Sequence, residues 1–248
     1  MIFPDRKARW ALVTGASSGI GAAVAARLAA DGYRLLLVGR NMERLTDVAE
    51  RTGGYAVAAD LTGTEGLARV LAAVRRDPGR LDLLVHAAGR GWAGPIGTMT
   101  EQTTAELVHA NLLAPIQLTR ALLGMPGCAP KRMAFISSIA AVGVAEEAVY
   151  SATKAGLNGF ANALRVECGV KVTTVVPAAV ATPFFARRGL LYERTFPRMV
   201  TPERVADALV RGVHRGKTEV YIPRWPAVAV GVQRVAPQLF IILSRIFS

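Results

Sequence analysis

Seven short runs rich in Val, Leu and Ile punctuate the chain, at Trp10 to Val13, Arg34 to Val38, Tyr55 to Ala59, Leu81 to His86, Arg132 to Ser137, Lys171 to Val176 and Glu219 to Ile222. Such runs read as strands buried on both faces. Between them lie Ile20 to Asp31, Asn41 to Arg51, Gly63 to Arg76, Thr103 to Leu123, Tyr150 to Cys168 and Pro202 to Arg215, where Ala, Leu, Arg and Glu recur at helical spacing. Strands joined by helices long enough to cross over form a parallel sheet covered on each side. The pattern predicts an α/β chain with a doubly wound, Rossmann-like fold and a seven-stranded parallel sheet. Ligands of such sheets lie beyond the carboxyl ends of the strands, so chemistry is sought there.

A length of 248 residues suits one catalytic domain, assigned to 1–224, with residues 225–248 as an apolar tail that is not an independent domain. At 52% hydrophobic and 19% charged, the composition is that of a packed globule. Cys128 and Cys168 have neither metal-ligand spacing nor the density of a disulfide scaffold, and read as small apolar residues in a reducing compartment. The charges in residues 1–9 interrupt what a signal peptide would keep apolar, so a cytoplasmic protein is expected. A net charge of +12 raises acidic partners, but the arginines are scattered rather than lined along one helix, so no nucleic acid is expected. His86, His109 and His214 lack ligand spacing and read as structural, with no metal.

The first strand runs into Thr14-Gly15-Ala16-Ser17-Ser18-Gly19-Ile20-Gly21 and an Ala-rich helix. Glycines at Gly15, Gly19 and Gly21 let backbone turn tightly and approach a pyrophosphate, while the helix start at Ser17, Ser18 and Ile20 turns free amides and its positive dipole end toward the anion. At the end of the second strand stand Arg40 and Asn41, and no acid occurs between Asp31 and Glu43. NAD sites present an acid there and NADP sites a base. A guanidinium suits bidentate phosphate contact, so NADP(H) is favoured over NAD(H); the alternative is that Arg40 merely opens a solvated helix.

After the fifth strand come Ser137-Ser138 and then Tyr150-Ser151-Ala152-Thr153-Lys154 at a helix start. Residues i and i+4 share a helix face, so the Lys154 ammonium can favour ionisation of the Tyr150 phenol, otherwise a poor base near pKa ~10. Ser138 would hydrogen-bond the substrate oxygen. With the glycine turn, the serine and the tyrosine-lysine pair in this order, residues 8 to 223 resemble the classical short-chain dehydrogenase/reductase family. The resemblance implies a catalytic set of Asn111, Ser138, Tyr150 and Lys154, in which Asn111 helps hold a water beside the lysine. It also implies contacts to the cofactor from Asp60 and Leu61 at the adenine, from Ala88 and Gly89 in the stretch Leu84 to Gly89, from Pro177, Val180 and Thr182 beneath the nicotinamide, and from Tyr150 and Lys154 themselves.

Two departures stand out: His86-Ala87 replaces the family's Asn-Asn, and Ala178 stands where a glycine is usual. The first loses side-chain amides that tie strands and cofactor together; the second restricts the turn under the nicotinamide. The aromatic segment Pro183 to Tyr192 falls where this fold builds a substrate lid. The expected activity is NADP(H)-dependent interconversion of a small-molecule carbonyl compound and a secondary alcohol. The rival readings are a 3-oxoacyl thioester reductase, which would suit the basic surface, and a catalytically silent dinucleotide-sensing protein. The family commonly pairs subunits through the helices holding Thr103 to Leu123 and Tyr150 to Cys168, which implies a homodimer or homotetramer.

The tail from Trp225 carries Leu239, Phe240, Ile242, Leu243, Ile246 and Phe247 at helical spacing, but Arg234 and Pro237 interrupt it too early for a bilayer crossing. Such an apolar face needs a cover. One cover is protein, the lid or a partner subunit; the other is a membrane interface, giving peripheral contact at the inner face and a lipophilic substrate. From Arg187 onward there are eleven Lys and Arg against four Asp and Glu, an asymmetry that fits anionic lipid.

Overall fold

A computed structural model of the chain describes residues 8–76, 81–188 and 198–246, with side chains as far as Ile242. The elements run β1 (Trp10–Thr14), α1 (Gly19–Ala30), β2 (Arg34–Gly39), α2 (Met42–Thr52), β3 (Tyr55–Ala58), α3 (Thr64–Arg76), β4 (Leu83–His86), α4 (Glu101–Val108), α5 (Ala114–Leu123), β5 (Arg132–Ile136), α6 (Ala148–Glu167), β6 (Lys171–Pro177), α7 (Phe184–Arg187), α8 (Pro202–His214), β7 (Glu219–Ile222), α9 (Pro226–Val235) and α10 (Pro237–Ile246). The seven strands form one sheet in the order β3-β2-β1-β4-β5-β6-β7, every pairing parallel. The order reverses between β1 and β4, where Thr14 stands beside His86.

Strand alternation splits the core into two layers. Ala11 and Val13 of β1 face Val24 and Leu28 of α1, Leu45 of α2 and Leu209 of α8. Trp10 and Leu12 face Val70 of α3, Leu118 of α5 and Leu157 of α6. Central strands flanked on both sides carry little solvent face, which is why their sequences are mostly apolar. Local chemistry sets the helix ends: the Asn41 carboxamide accepts from Arg44 N at 2.8 Å to start α2, and Gly53, at φ 63°, stops it in the left-handed region.

The single helix expected over Thr103 to Leu123 is a correction. It begins at Glu101 and breaks into α4 and α5 across a π-helical turn, His109–Leu113. Pro115 has no N–H to give the carbonyl of Asn111 and its ring would crowd that carbonyl, so the ladder widens there. Asn111 lies inside this turn. The tail forms two helices, α9 packing against β7 and the 3-10 turn Ile139–Val142, and α10 against α9. No helix among the described residues is long and apolar enough to cross a membrane. Residues 1–7, residues 189–192 of the expected lid, and the side chains of Leu243, Ile246 and Phe247 lie outside the described part.

Candidate active site

The carboxyl ends of β1, β2, β4, β5 and β6 open into one cleft of about 790 Å³. At its floor, Thr14 Oγ1 accepts hydrogen bonds from Ala87 N at 3.1 Å and Ala88 N at 3.2 Å, tying β1 to the end of β4 where the strand order reverses. The glycine turn follows. Gly15 sits at φ +67°, and a Cβ on it would lie 2.7 Å from Ala88 Cα; a Cβ on Gly21 would lie 2.2 Å from Gly15 O. Only glycine lets these three backbone segments close up. Ser18 makes no side-chain cap at the start of α1, so the first amides of that helix remain available to an anion. Gly15, Ser17, Ser18, Gly19, Ile20 and Gly21 all line the cleft, as do Arg40, Asp60, Leu61, Ala88, Gly89, Pro177, Val180 and Thr182.

Arg40 is exposed at the rim. Across from it, Asp60 Oδ1 accepts from Thr62 N at 3.0 Å and Thr62 Oγ1 at 2.7 Å. Burial works against the Asp60 carboxylate, but those bonds and the charges of Arg40 and Arg90 hold it below its ordinary range. Asn41 does not line the cleft; its side chain is spent on capping α2.

Tyr150 and Lys154 share the buried face of α6, and Ser138 stands at the start of the turn after β5. The Ser138 hydroxyl accepts from Ala140 N at 3.1 Å and stands close enough to the Tyr150 phenol to act on its ionisation. Lys154 Nζ donates to Ile136 O at 2.9 Å and lies 5.7 Å from the Tyr150 ring centroid. A Cβ on Gly89 would fall 3.1 Å from Asn111 Oδ1 and 3.6 Å from Lys154 Nζ, so the loop after β4 passes close to both.

Two observations bear on the expected catalytic set. The lysine was expected to favour the ionised phenol. Burial dominates instead, raising the Tyr150 pKa well above its ordinary value, with Ser138 and Arg188 opposing and Glu147 adding to the rise. Burial likewise lowers Lys154 to about 8. Asn111 does not line the cleft: its Oδ1 accepts from Arg90 N at 2.8 Å, and its Nδ2 donates to Arg90 O at 2.9 Å and Thr153 Oγ1 at 3.2 Å. The side chain thereby fixes the loop 88–91 against α6.

Of the family departures, His86 replaces the amide tie with another. It is fully enclosed, stacked 4.8 Å from Phe135, with Nε2 3.0 Å from Thr119 Oγ1. Burial pushes its pKa down to about 3, so the ring is neutral. Ala178 is buried in its turn, with its N–H donating to Ile222 O at 2.8 Å. Among the described residues no group of three or more His, Cys, Asp or Glu could hold a metal.

The far end of the cleft was not legible from motifs. Phe184 lies 5.6 Å from the Tyr150 ring and so close to Gly91 that a Cβ there would sit 2.4 Å from Phe184 Cζ. Arg188 Nη1 pairs with Glu147 Oε1, and Trp225 reaches the same cavity from the start of the tail. The Phe-Phe pair in the expected lid hinted at the first contact; nothing local marked Glu147 or Trp225.

A family model described as short chain dehydrogenase matches residues 9–190. The chain is 31% identical over 225 residues to ketoacyl reductase HetN of Nostoc sp., covering 87% of this chain and 78% of that protein. Among solved structures, a short-chain dehydrogenase from Sphingobium yanoikuyae in complex with NADPH superposes with a TM-score of 0.77 at 29% identity, covering 92% of this chain and 94% of that one. Actinorhodin polyketide ketoreductase with NADPH superposes with a TM-score of 0.79 at 26% identity, covering 89% and 97%. With the family model spanning most of the chain and the fold shared with these structures, this chain belongs to the short-chain dehydrogenase/reductase family of NAD(P)-dependent oxidoreductases.

Proposed function

We propose that the protein reduces a carbonyl compound to a secondary alcohol with NADPH, using Tyr150 as proton donor, Ser138 as partner of the substrate oxygen, Lys154 as the buried cation beside them and Asn111 as the support of the loop that faces them. The observation that carries this reading is the meeting of Ser138, Tyr150 and Lys154 in the cleft that the glycine turn enters. The residues present fit a dinucleotide. The free amides at the start of α1 and the crowded glycines would hold its pyrophosphate, Asp60 and Leu61 its adenine end, and Pro177, Val180 and Thr182 its nicotinamide end. Arg40, exposed at the rim after β2 in a stretch with no acid between Asp31 and Glu43, would hold a 2′-phosphate, which favours NADP(H).

Bound there, a reduced nicotinamide would supply the hydride for a carbonyl carbon. Tyr150 is protonated at neutral pH, because burial raises its pKa, and so carries the proton that reduction consumes. Ser138 and Tyr150 together give the developing alkoxide two hydrogen bonds. Tyr150→Phe is expected to lower turnover by roughly two to four orders of magnitude with NADPH binding intact; near-normal turnover would overturn the reading.

A 3-oxoacyl thioester as substrate is the second reading, favoured by the likeness to a ketoacyl reductase. NADPH consumption with a panel of ketones and 3-oxoacyl thioesters separates the two. We also assign residues 1–224 to the catalytic unit and infer a homodimer or homotetramer through α4, α5 and α6; Ala152, Ala155, Gly159, Ala163 and Val166 form an exposed small and apolar stripe on α6 that supports it. For the tail, exposed Val228, Leu239 and Ile242 support peripheral contact with anionic lipid at the inner membrane face.

A further inference from the structure

Glu147 stands at the residue before α6, three positions ahead of Tyr150, and Arg188 follows α7 on the other wall of the cleft. Their ion pair is nearly enclosed, with side chains 14% and 11% exposed. Enclosing two charges costs desolvation that a merely structural contact could avoid with apolar residues. The Arg188 guanidinium is also stacked on Phe185, 4.5 Å from its centroid, while its Nε has no hydrogen-bond partner among the described residues. The same short helix carries Phe184, whose ring packs on Tyr150 and fills the space over Gly91.

We propose that Glu147 and Arg188 are positioning residues for the reaction: their ion pair latches residues 183–188 against α6, seats Phe184 on the Tyr150 ring and fixes one charge of each sign beside the phenol. The proposal rests on Tyr150 being the acid-base. Leu107, Ala140, Trp92, Met99, Val144 and Phe184 form the hydrophobic cluster around Tyr150. Lys154 Nζ lies 5.7 Å from its ring centroid, and the charges of Glu147 and Arg188 bear on the phenol from the ion pair. The negative charge of Glu147 disfavours the phenolate and the positive charge of Arg188 favours it. The latch keeps the two opposing charges in place together.

The test is the pH profile of alcohol oxidation with NADP⁺, in which Tyr150 must first give up its proton and the positive charge of the oxidised nicotinamide would bring that loss into the accessible range. Glu147→Gln is expected to move the rising limb to lower pH and Arg188→Gln to higher pH, each by roughly half a unit to one unit. The double variant returns it close to the wild-type position. Loss of turnover without opposite displacements would make the pair structural only and overturn the proposal. If Arg188→Gln fails to fold, Glu147→Gln decides alone, and no downward shift in it is a refutation. Tyr150→Phe is run beside them, so that turnover retained there condemns the assignment of Tyr150 itself rather than the latch.

Discussion

Lys154 Nζ is bonded to the main-chain carbonyl of Ile136, 2.9 Å away, and not to the phenol of Tyr150 one turn before it. The last residue of β5 thus anchors the cation of the site. The lysine is held under the tyrosine by the sheet, and burial lowers its pKa to about 8.

That value sets a first expectation. If the charge on Lys154 supports proton delivery, carbonyl reduction declines as pH rises through about 8. Lys154→Arg keeps the charge at every accessible pH, so the decline should move upward by a unit or more even if the maximal rate falls. An unchanged decline in that variant, read from kcat against pH, would remove Lys154 as its cause.

His86 makes a second prediction about stability. Its folded pKa of about 3 lies below the ordinary 6.5, so the stabilising influence is fully present above pH 6.5 and is lost as pH falls toward 3. Between pH 6.5 and 5 the loss is roughly 2 kcal/mol. Denaturant unfolding of His86→Asn, the residue usual in the family, should lack this acid sensitivity whatever its stability at pH 7; equal sensitivity in both proteins contradicts the argument.

Cofactor choice rests on Arg40. Replacing it with aspartate exchanges a phosphate-binding cation for a carboxylate suited to ribose hydroxyls, so Arg40→Asp should weaken NADPH at least tenfold, about 1.4 kcal/mol, relative to NADH. Michaelis constants for both cofactors check it, and a wild-type preference for NADH would end the NADP(H) assignment.

The tail gives a fourth prediction. Because Trp225 lines the cleft and α9 packs on the 3-10 turn Ile139–Val142, deleting the tail would disturb the site itself. Substituting serine at Val228, Leu239 and Ile242 tests the apolar face without cutting the chain. Co-sedimentation with anionic vesicles at physiological salt should drop severalfold in that variant; equal binding by both proteins, or none by either, discards membrane contact.

The sheet, the helices and most of the cleft were readable along the chain because their signals are local. Consecutive apolar residues mark a strand covered on both faces, Gly15 to Gly21 mark a turn that needs missing side chains, and Tyr150 and Lys154 meet because a helix repeats every 3.6 residues. The helical spacing over Thr103 to Leu123 did not reveal the widened turn that Pro115 imposes around Asn111. What the sequence left open is contact between distant segments. Glu147 and Arg188 are 41 residues apart and His86 and Thr119 are 33 apart. No periodicity links such pairs; the order of strands brings them together, and only then do burial and proximity of charge fix what they do. The same holds for Asn111, whose amide turned out to be occupied by Arg90 and Thr153, and for Trp225, which packing of α9 delivers to the cleft. Residue type and spacing determined which groups could carry chemistry, while tertiary packing decided which ones face the cleft, with what charge, and which of them hold the others in place.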